Sequence, residues 1–235
     1  MSTGTSTHHE RLSEIERWLR WSHSLDQHHE LVAPFSQELR KELESSLSRK
    51  IAQLQPGEQV VVDPLELRQL LMDRMMLPPE VAMSWTASFS EHITLRLTTT
   101  GERFYRYSRE PHGHGSFLTQ KRFDYREAVP AEFNLAPAVT VNDAHFRQTV
   151  VALHENLVAE GEVAGSVDAV YRPAFAAHGG GLGIGIKDHD GPEHQTVALC
   201  PLSDLAVKWQ FGPGEEMASL RSAGLFTDGS CLREG

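Results

Sequence analysis

Residues 101–127, GERFYRYSREPHGHGSFLTQKRFDYRE, hold six of the chain's 22 lysines and arginines: Arg103, Arg106, Arg109, Lys121, Arg122 and Arg126. Against Glu102, Glu110, Asp124 and Glu127 this stretch nets +2, whereas residues 155–235 net −7. Guanidinium forks match phosphate oxygens. The rings of Phe104, Tyr105, Tyr107 and Phe117 offer stacking faces, and the glycines around His112 and His114 let backbone N–H groups approach an anion. A locally basic, aromatic-rich segment in an acidic protein suits a phosphate-bearing small molecule better than a polynucleotide. A two-stranded ribbon whose arginines are merely solvated would produce the same pattern.

Thirteen histidines form a second constellation, clustered at His112/His114 and at His189/His194 among others. Two or three imidazoles with a carboxylate from Asp188, Asp190 or Glu193 would suit Zn²⁺ or non-haem Fe(II). This makes a metal-dependent enzyme using His112, His114, His189 and His194 the competing expectation, although Asp190-Gly191-Pro192 is also a plain turn signature. Cys200 ends the apolar run Val197-Ala198-Leu199 and reads as a buried structural thiol. The chain has no Gly-x-Ser-x-Gly elbow and no Gly-x4-Gly-Lys-Ser/Thr phosphate loop. The alternation Gly181-Leu182-Gly183-Ile184-Gly185-Ile186 lacks the strand–turn–helix setting of a dinucleotide fingerprint.

Composition bounds the rest. The chain has 235 residues, 40% hydrophobic and 23% charged, as in ordinary globular proteins. Its formal net charge of −10 argues against a dedicated nucleic-acid binder. No apolar run approaches the ~18–20 residues that cross a bilayer, and the polar start MSTGTSTHHERLSE carries no secretory h-region. A cytoplasmic protein, or one delivered without a visible signal peptide, is the expectation.

The elements that must position these residues follow from period and punctuation. Leu12, Ile15, Trp18 and Leu19 define a helical stripe over 10–25. Pro34 opens a second helix, 35–54, whose Phe35, Leu39, Leu43, Leu47, Ile51 and Leu54 make one narrow apolar face. That face is core, or else the docking surface of a non-catalytic interaction module. Val60–Val62 is extended, and Asp63-Pro64 caps a helix over 64–76. Alternation then predicts strands at 93–97, 104–107 and 116–119. Asn142 or Asp143 is expected to start a helix carrying Phe146, Val150, Leu153 and Leu157, and strands resume at 163–171, 182–186 and 196–200. The fold class is α+β: a helical N-terminal region, 1–80, and a compact mixed sheet of short strands within 81–235.

Four motifs in chain order resemble bacterial toxin domains of the ADP-ribosyltransferase-like superfamily, which includes the NAD-cleaving necrotising-toxin type. These are Tyr105-Arg106-Tyr107, Gly115-Ser116-Phe117-Leu118-Thr119, Tyr125-Arg126-Glu127-Ala128-Val129-Pro130 and the Gly179–Gly181 run. The resemblance covers roughly residues 92–200. It implies a split, twisted β fold holding NAD as substrate, used for ADP-ribosyl transfer or for hydrolysis to nicotinamide and ADP-ribose. It further implies Arg106 on phosphate or ribose, Ser116 and Thr119 around the nicotinamide ribose, Tyr107 or Phe117 stacked on the ring, and Tyr105 and Arg126 in the cofactor site. Glu160-Gly161-Glu162 matches the Glu-x-Glu of the transferase branch, making Glu162 the group that would stabilise an oxocarbenium ion. Glu160 also reads as the end of a helix capped by Gly161. Glu215, Glu216 and the neutral Gln210 are further candidates. The glycohydrolase branch carries a glutamine after its glycine run, where this chain has Leu182. A toxin or effector of this kind would have a protein acceptor or an immunity partner.

Overall fold

The computed structural model describes residues 7–15, 35–86, 88–129, 144–163, 194–220 and 222–223. Ser36 opens helix α1 (Gln37–Gln53), its hydroxyl accepting the Leu39 N–H at 3.2 Å. Leu39, Leu43 and Leu47, four residues apart, are all buried. The apolar stripe of 35–54 is therefore core, which corrects its alternative reading as a docking face. Gly57 follows with a φ of 88°, the left-handed backbone that a tight turn out of the helix needs. Strand β1 (Gln59–Val62) leads into α2 (Pro64–Arg74). There Asp63 and Glu66 form a reciprocal capping box around Pro64.

Helix α3 (Pro79–Thr86) begins at a proline pair that reads in sequence only as a stop, yet proline is suited to a first helical turn. Strands β2 (Phe89–Leu97), β3 (Arg103–Ser108) and β4 (Phe117–Leu118) fall where alternation places them. The helix expected from 142/143 is replaced by β5 (Phe146–Ala152) and β6 (Leu157–Val163). Burial in β5 has period two, with Gln148, Val150 and Ala152 inward. The helical spacing of Phe146, Val150, Leu153 and Leu157 is coincidental, and the aromatic and β-branched content favours strand. Beyond it lie β7 (His194–Ala198), α4 (Leu202–Lys208), β8 (Trp209–Phe211) and β9 (Glu215–Glu216).

Five strands form one sheet in the order β1-β2-β6-β7-β4, and a second sheet has the order β3-β5-β8 with β9 on β5. Every pairing between these strands is antiparallel. One face of the first sheet, with Ile93, Leu95, Ala159 and Val197, packs on the helices through Leu47, Leu71 and Trp85. The other face, with Leu118, Val158 and Ala198, meets Phe104, Val150 and Trp209 of the second sheet. Residues on both sides of position 80 share this core. The sheets are stitched where Tyr105 and Thr119 exchange backbone hydrogen bonds of 2.7 and 2.9 Å.

The helical segment 7–15 is held largely by polar contacts, and Leu12 on it is exposed. Glu10 accepts from the Ser36 N–H (3.1 Å) and hydroxyl (2.6 Å). Arg11 pairs with Glu42 and Asp63, and Glu14 lies 3.3 Å from the fully buried Arg68. Trp18 and Leu19 of the expected stripe lie outside the described residues, as do the expected strand 182–186 and all but the first residue of 163–171. Among the described residues, no helix is long and apolar enough to cross a membrane.

Candidate functional site

Strand periodicity puts Phe104, Arg106 and Ser108 on one face of β3, with Tyr105 and Tyr107 on the other. Directly across the ladder, Gln148 of β5 pairs with Arg106, and Val150 with Phe104. The Arg106 guanidinium donates through Nη1 to Gln148 Oε1 (2.9 Å) and to Gly113 O (3.1 Å). Among the described residues Arg106 has no carboxylate partner and no further hydrogen bond. Desolvation pulls its pKa below the ordinary arginine value, since nothing anionic offsets burial.

The His112–Gly115 segment lies against this guanidinium. A Cβ at Gly113 would stand 3.0 Å from Arg106 Nη1, and one at Gly115 only 2.7 Å from Nε, so both positions need glycine for the arginine to lie where it does. Pro111 O anchors the segment by accepting from Gly214 N (2.9 Å) and Gln148 Nε2 (3.2 Å). The His114 ring meets the Phe211 ring edge-on at 4.6 Å. Ser116, next after Gly115, is 2% exposed, and its hydroxyl has no hydrogen-bond partner among the described residues. One arginine, one neutral amide and two glycines thus converge just ahead of β4, with Ser116 next in the chain.

The other sequence candidates fall elsewhere. Thr119 is buried; its Oγ1 donates to His194 O (3.3 Å) and accepts from Lys121 N (3.1 Å). The Tyr107 hydroxyl donates to Lys121 O (3.1 Å) and accepts from Phe123 N (2.7 Å), and burial pushes its pKa up to about 12. Phe117 packs its ring 4.6 Å from that of Trp85. Tyr105 is half-buried and contributes its backbone to the link between sheets. Arg126 faces His145 Nδ1 at 3.2 Å and Glu127 at 3.6 Å. Glu215 is bound by Arg147 at 2.9 Å, and Glu216 by His145 at 2.9 Å.

Glu160 and Glu162 lie within β6, which corrects the reading of Glu160 as a helix end capped by Gly161. Gly161 is instead a close approach: a Cβ there would sit 2.6 Å from the His92 carbonyl, where the β2–β6 register shifts. Glu160 is bound bidentately by Arg96 at 2.7 Å, which also holds Glu102 at 2.5 and 2.9 Å. Thr196 Oγ1 adds a hydrogen bond of 2.9 Å to Glu160. Burial works against both charges, but the contacts to Glu160 and Glu102 raise the Arg96 pKa and those from Arg96 lower that of Glu102. Glu162 is half exposed, 3.9 Å from His194 Nε2 across β6 and β7. Ala198 N donates to Ser116 O, so Glu162, facing His194, stands four residues of β7 away from Ser116, roughly 13 Å along the strand.

The structure therefore groups Arg106 with Gln148 and the backbone of Gly113 and Gly115, and Thr119 with His194 and Glu162. Sequence reading missed Gln148, which the false helix hid, and the Arg96–Glu160–Glu102 cluster, where Arg96 was visible only as the polar half of an alternating strand. Among the described residues no group of three His, Cys, Asp or Glu side chains is placed to hold a metal. His189 lies outside those residues, as does the Gly179–Gly181 run.

No family model and no curated protein matches the sequence. Among solved structures the chain is similar to Rhs1-CT in complex with the cognate immunity protein RhsI1, at 12% identity and a TM-score of 0.35, covering 55% of this chain and 85% of that one.

Proposed function

We propose that the protein is an NAD-using enzyme that cleaves the nicotinamide–ribose bond, with the pyrophosphate at Arg106 and the nicotinamide ribose toward Glu162. The observation that carries this reading is Arg106, a desolvated guanidinium with no carboxylate partner among the described residues, packed against the backbone of Gly113 and Gly115. Arg106 is half-buried, and a partly desolvated charge without a counter-ion favours an anion that comes to it. A phosphate diester supplies the right charge, and its oxygens suit the guanidinium fork. Of the two glutamates on β6, Glu160 is fully engaged by Arg96, whereas among the described residues Glu162 meets only His194, at 3.9 Å.

In the reaction the C1′–N bond breaks, its electron pair leaves with neutral nicotinamide, and positive charge develops on the ribose, as in glycoside hydrolysis. Glu162 would stabilise that charge electrostatically. Water or an acceptor nucleophile then bonds to C1′ and releases a proton. An enzyme with this activity would deplete NAD in the cell that makes it. It would thus act as a toxin or effector and need a neutralising partner at home.

Nicotinamide release from NAD, followed by chromatography, tests the reading. Wild type is expected to release nicotinamide, Arg106→Lys to lose at least tenfold in kcat/KM with an unchanged far-UV spectrum, and Glu162→Gln to lose turnover while still binding NAD. Absence of nicotinamide release by wild type would overturn it.

A further inference from the structure

Cross-strand pairing makes position 148 the natural place for a counter-ion to Arg106, because the two side chains share a face and lie directly opposite each other. The chain has glutamine there. Gln148 is 1% exposed and uses both ends of its amide. Its Oε1 accepts from Arg106 Nη1 at 2.9 Å, while Nε2 donates to Pro111 O at 3.2 Å and Gly212 O at 3.3 Å. A carboxylate in that place would accept from Arg106 equally well, but it would cancel the charge and present acceptor oxygens to two carbonyls. The amide orients the guanidinium and ties it to the 111–115 segment while leaving its charge uncompensated.

We infer that Gln148 is a positioning residue that holds Arg106 ready for an anion, and that the site formed by Arg106 and the 111–115 segment binds an inorganic pyrophosphate group by itself. The assignment rests on the reading of Arg106 as the phosphate-binding group. Nη1 is committed to Gln148 and Gly113, so Nε and Nη2 are the donors left for the incoming oxygens. Neutrality at position 148 is then a requirement of binding as well as of packing. This separates charge from shape, which substitution of Arg106 alone does not do.

Calorimetric titration with inorganic pyrophosphate at pH 7.5 tests it on wild type, Gln148→Glu and Gln148→Met, with thermal unfolding to confirm folding. Gln148→Glu is expected to weaken pyrophosphate binding at least tenfold, because the introduced carboxylate pairs with Arg106. Gln148→Met, which loses orientation but adds no charge, is expected to weaken it two- to fivefold. Wild-type binding retained in Gln148→Glu would overturn the inference, as would equal losses in both folded variants or no binding by wild type. Should Gln148→Glu not fold, Gln148→Met decides: a two- to fivefold loss supports the assignment, and unchanged or abolished binding overturns it. Pyrophosphate binding that follows this order without nicotinamide release would leave Gln148 assigned and remove the NAD-cleavage reading. Nicotinamide release that Gln148→Glu leaves untouched would do the reverse.

Discussion

Arg96 and Arg106 flank the same aromatic ring and have opposite electrostatic surroundings. The Arg96 guanidinium lies 5.9 Å from the Phe104 ring centroid, and Arg106 is the next residue along the same face of β3. Arg96 is enclosed by two carboxylates, Glu160 and Glu102, themselves tied by Thr196, Thr99 and Gln120. Arg106 has an amide and a main-chain carbonyl. What separates them is the residue facing each across the sheet. Glu160, diagonal to Arg96, makes a structural clamp of net charge −1 with Glu102, whereas Gln148, opposite Arg106, leaves a net +1 in a chain of formal charge −10. A satisfied arginine holds strands together; an unsatisfied one at this cost in desolvation points to a ligand.

The largest effect should come from opening the clamp. Arg96→Met strands Glu160 and Glu102 against each other in a half-buried setting, and a stability loss of about 3 kcal/mol is expected. In wild type the folded-state pKa of Glu102 is depressed. Its contribution is therefore present above the unfolded carboxylate range and lost as pH falls through the lowered value. In Arg96→Met that dependence inverts, since protonation relieves repulsion. Urea unfolding at pH 7.5 and pH 4 should show the gap between the two proteins narrowing in acid, and a gap that widens would refute the clamp.

A glycine pair sharpens the same contrast. Gly161→Ala drives a methyl to 2.6 Å from the His92 carbonyl within the sheet, where backbone must give way, and should destabilise by about 2 kcal/mol. Gly115→Ala meets Arg106 Nε at 2.7 Å, a side chain able to swing aside. About 1 kcal/mol is expected there, with a tenfold or greater loss of pyrophosphate affinity as the guanidinium is displaced. Equal affinity in Gly115→Ala and wild type would separate the glycine from any binding role.

How far all this can be read from residues alone varies along the chain. Helices α1 and α2 are legible because caps, prolines and a four-residue leucine spacing agree with burial. The β2 and β3 strands are legible because alternation is strict. The region 146–163 misleads because Phe146, Val150, Leu153 and Leu157 satisfy a helical period while the chain crosses from the second sheet to the first at 153–156. With that error went the partners of both arginines, since Gln148 and Glu160 acquire meaning only from strand register. Arg106 and Ser116 were visible by type and order. The packing of the 113–115 backbone on Arg106, and the absence of a carboxylate facing Arg106 among the described residues, are tertiary facts.

Tyr107 gives the smallest and most local test, because its stacking role and its anchoring role predict different things. Its ring lies 5.5 Å from Phe123, and its hydroxyl takes the Phe123 N–H while giving its proton to Lys121 O. The hydroxyl thus stitches β3 to the 119–123 segment. Tyr107→Phe leaves those two backbone groups without their partner and should cost about 1 kcal/mol. Burial has pushed the phenol up to about 12, above its unfolded value, so the folded state holds the proton more tightly. That contribution is complete below the unfolded pKa, near 10, and drains away as pH rises toward 12. Wild type should therefore lose stability across this alkaline window more steeply than Tyr107→Phe, and phenolate absorbance should show one tyrosine titrating late. Identical alkaline profiles would mean that the hydroxyl is solvated, which would free the ring for a ligand.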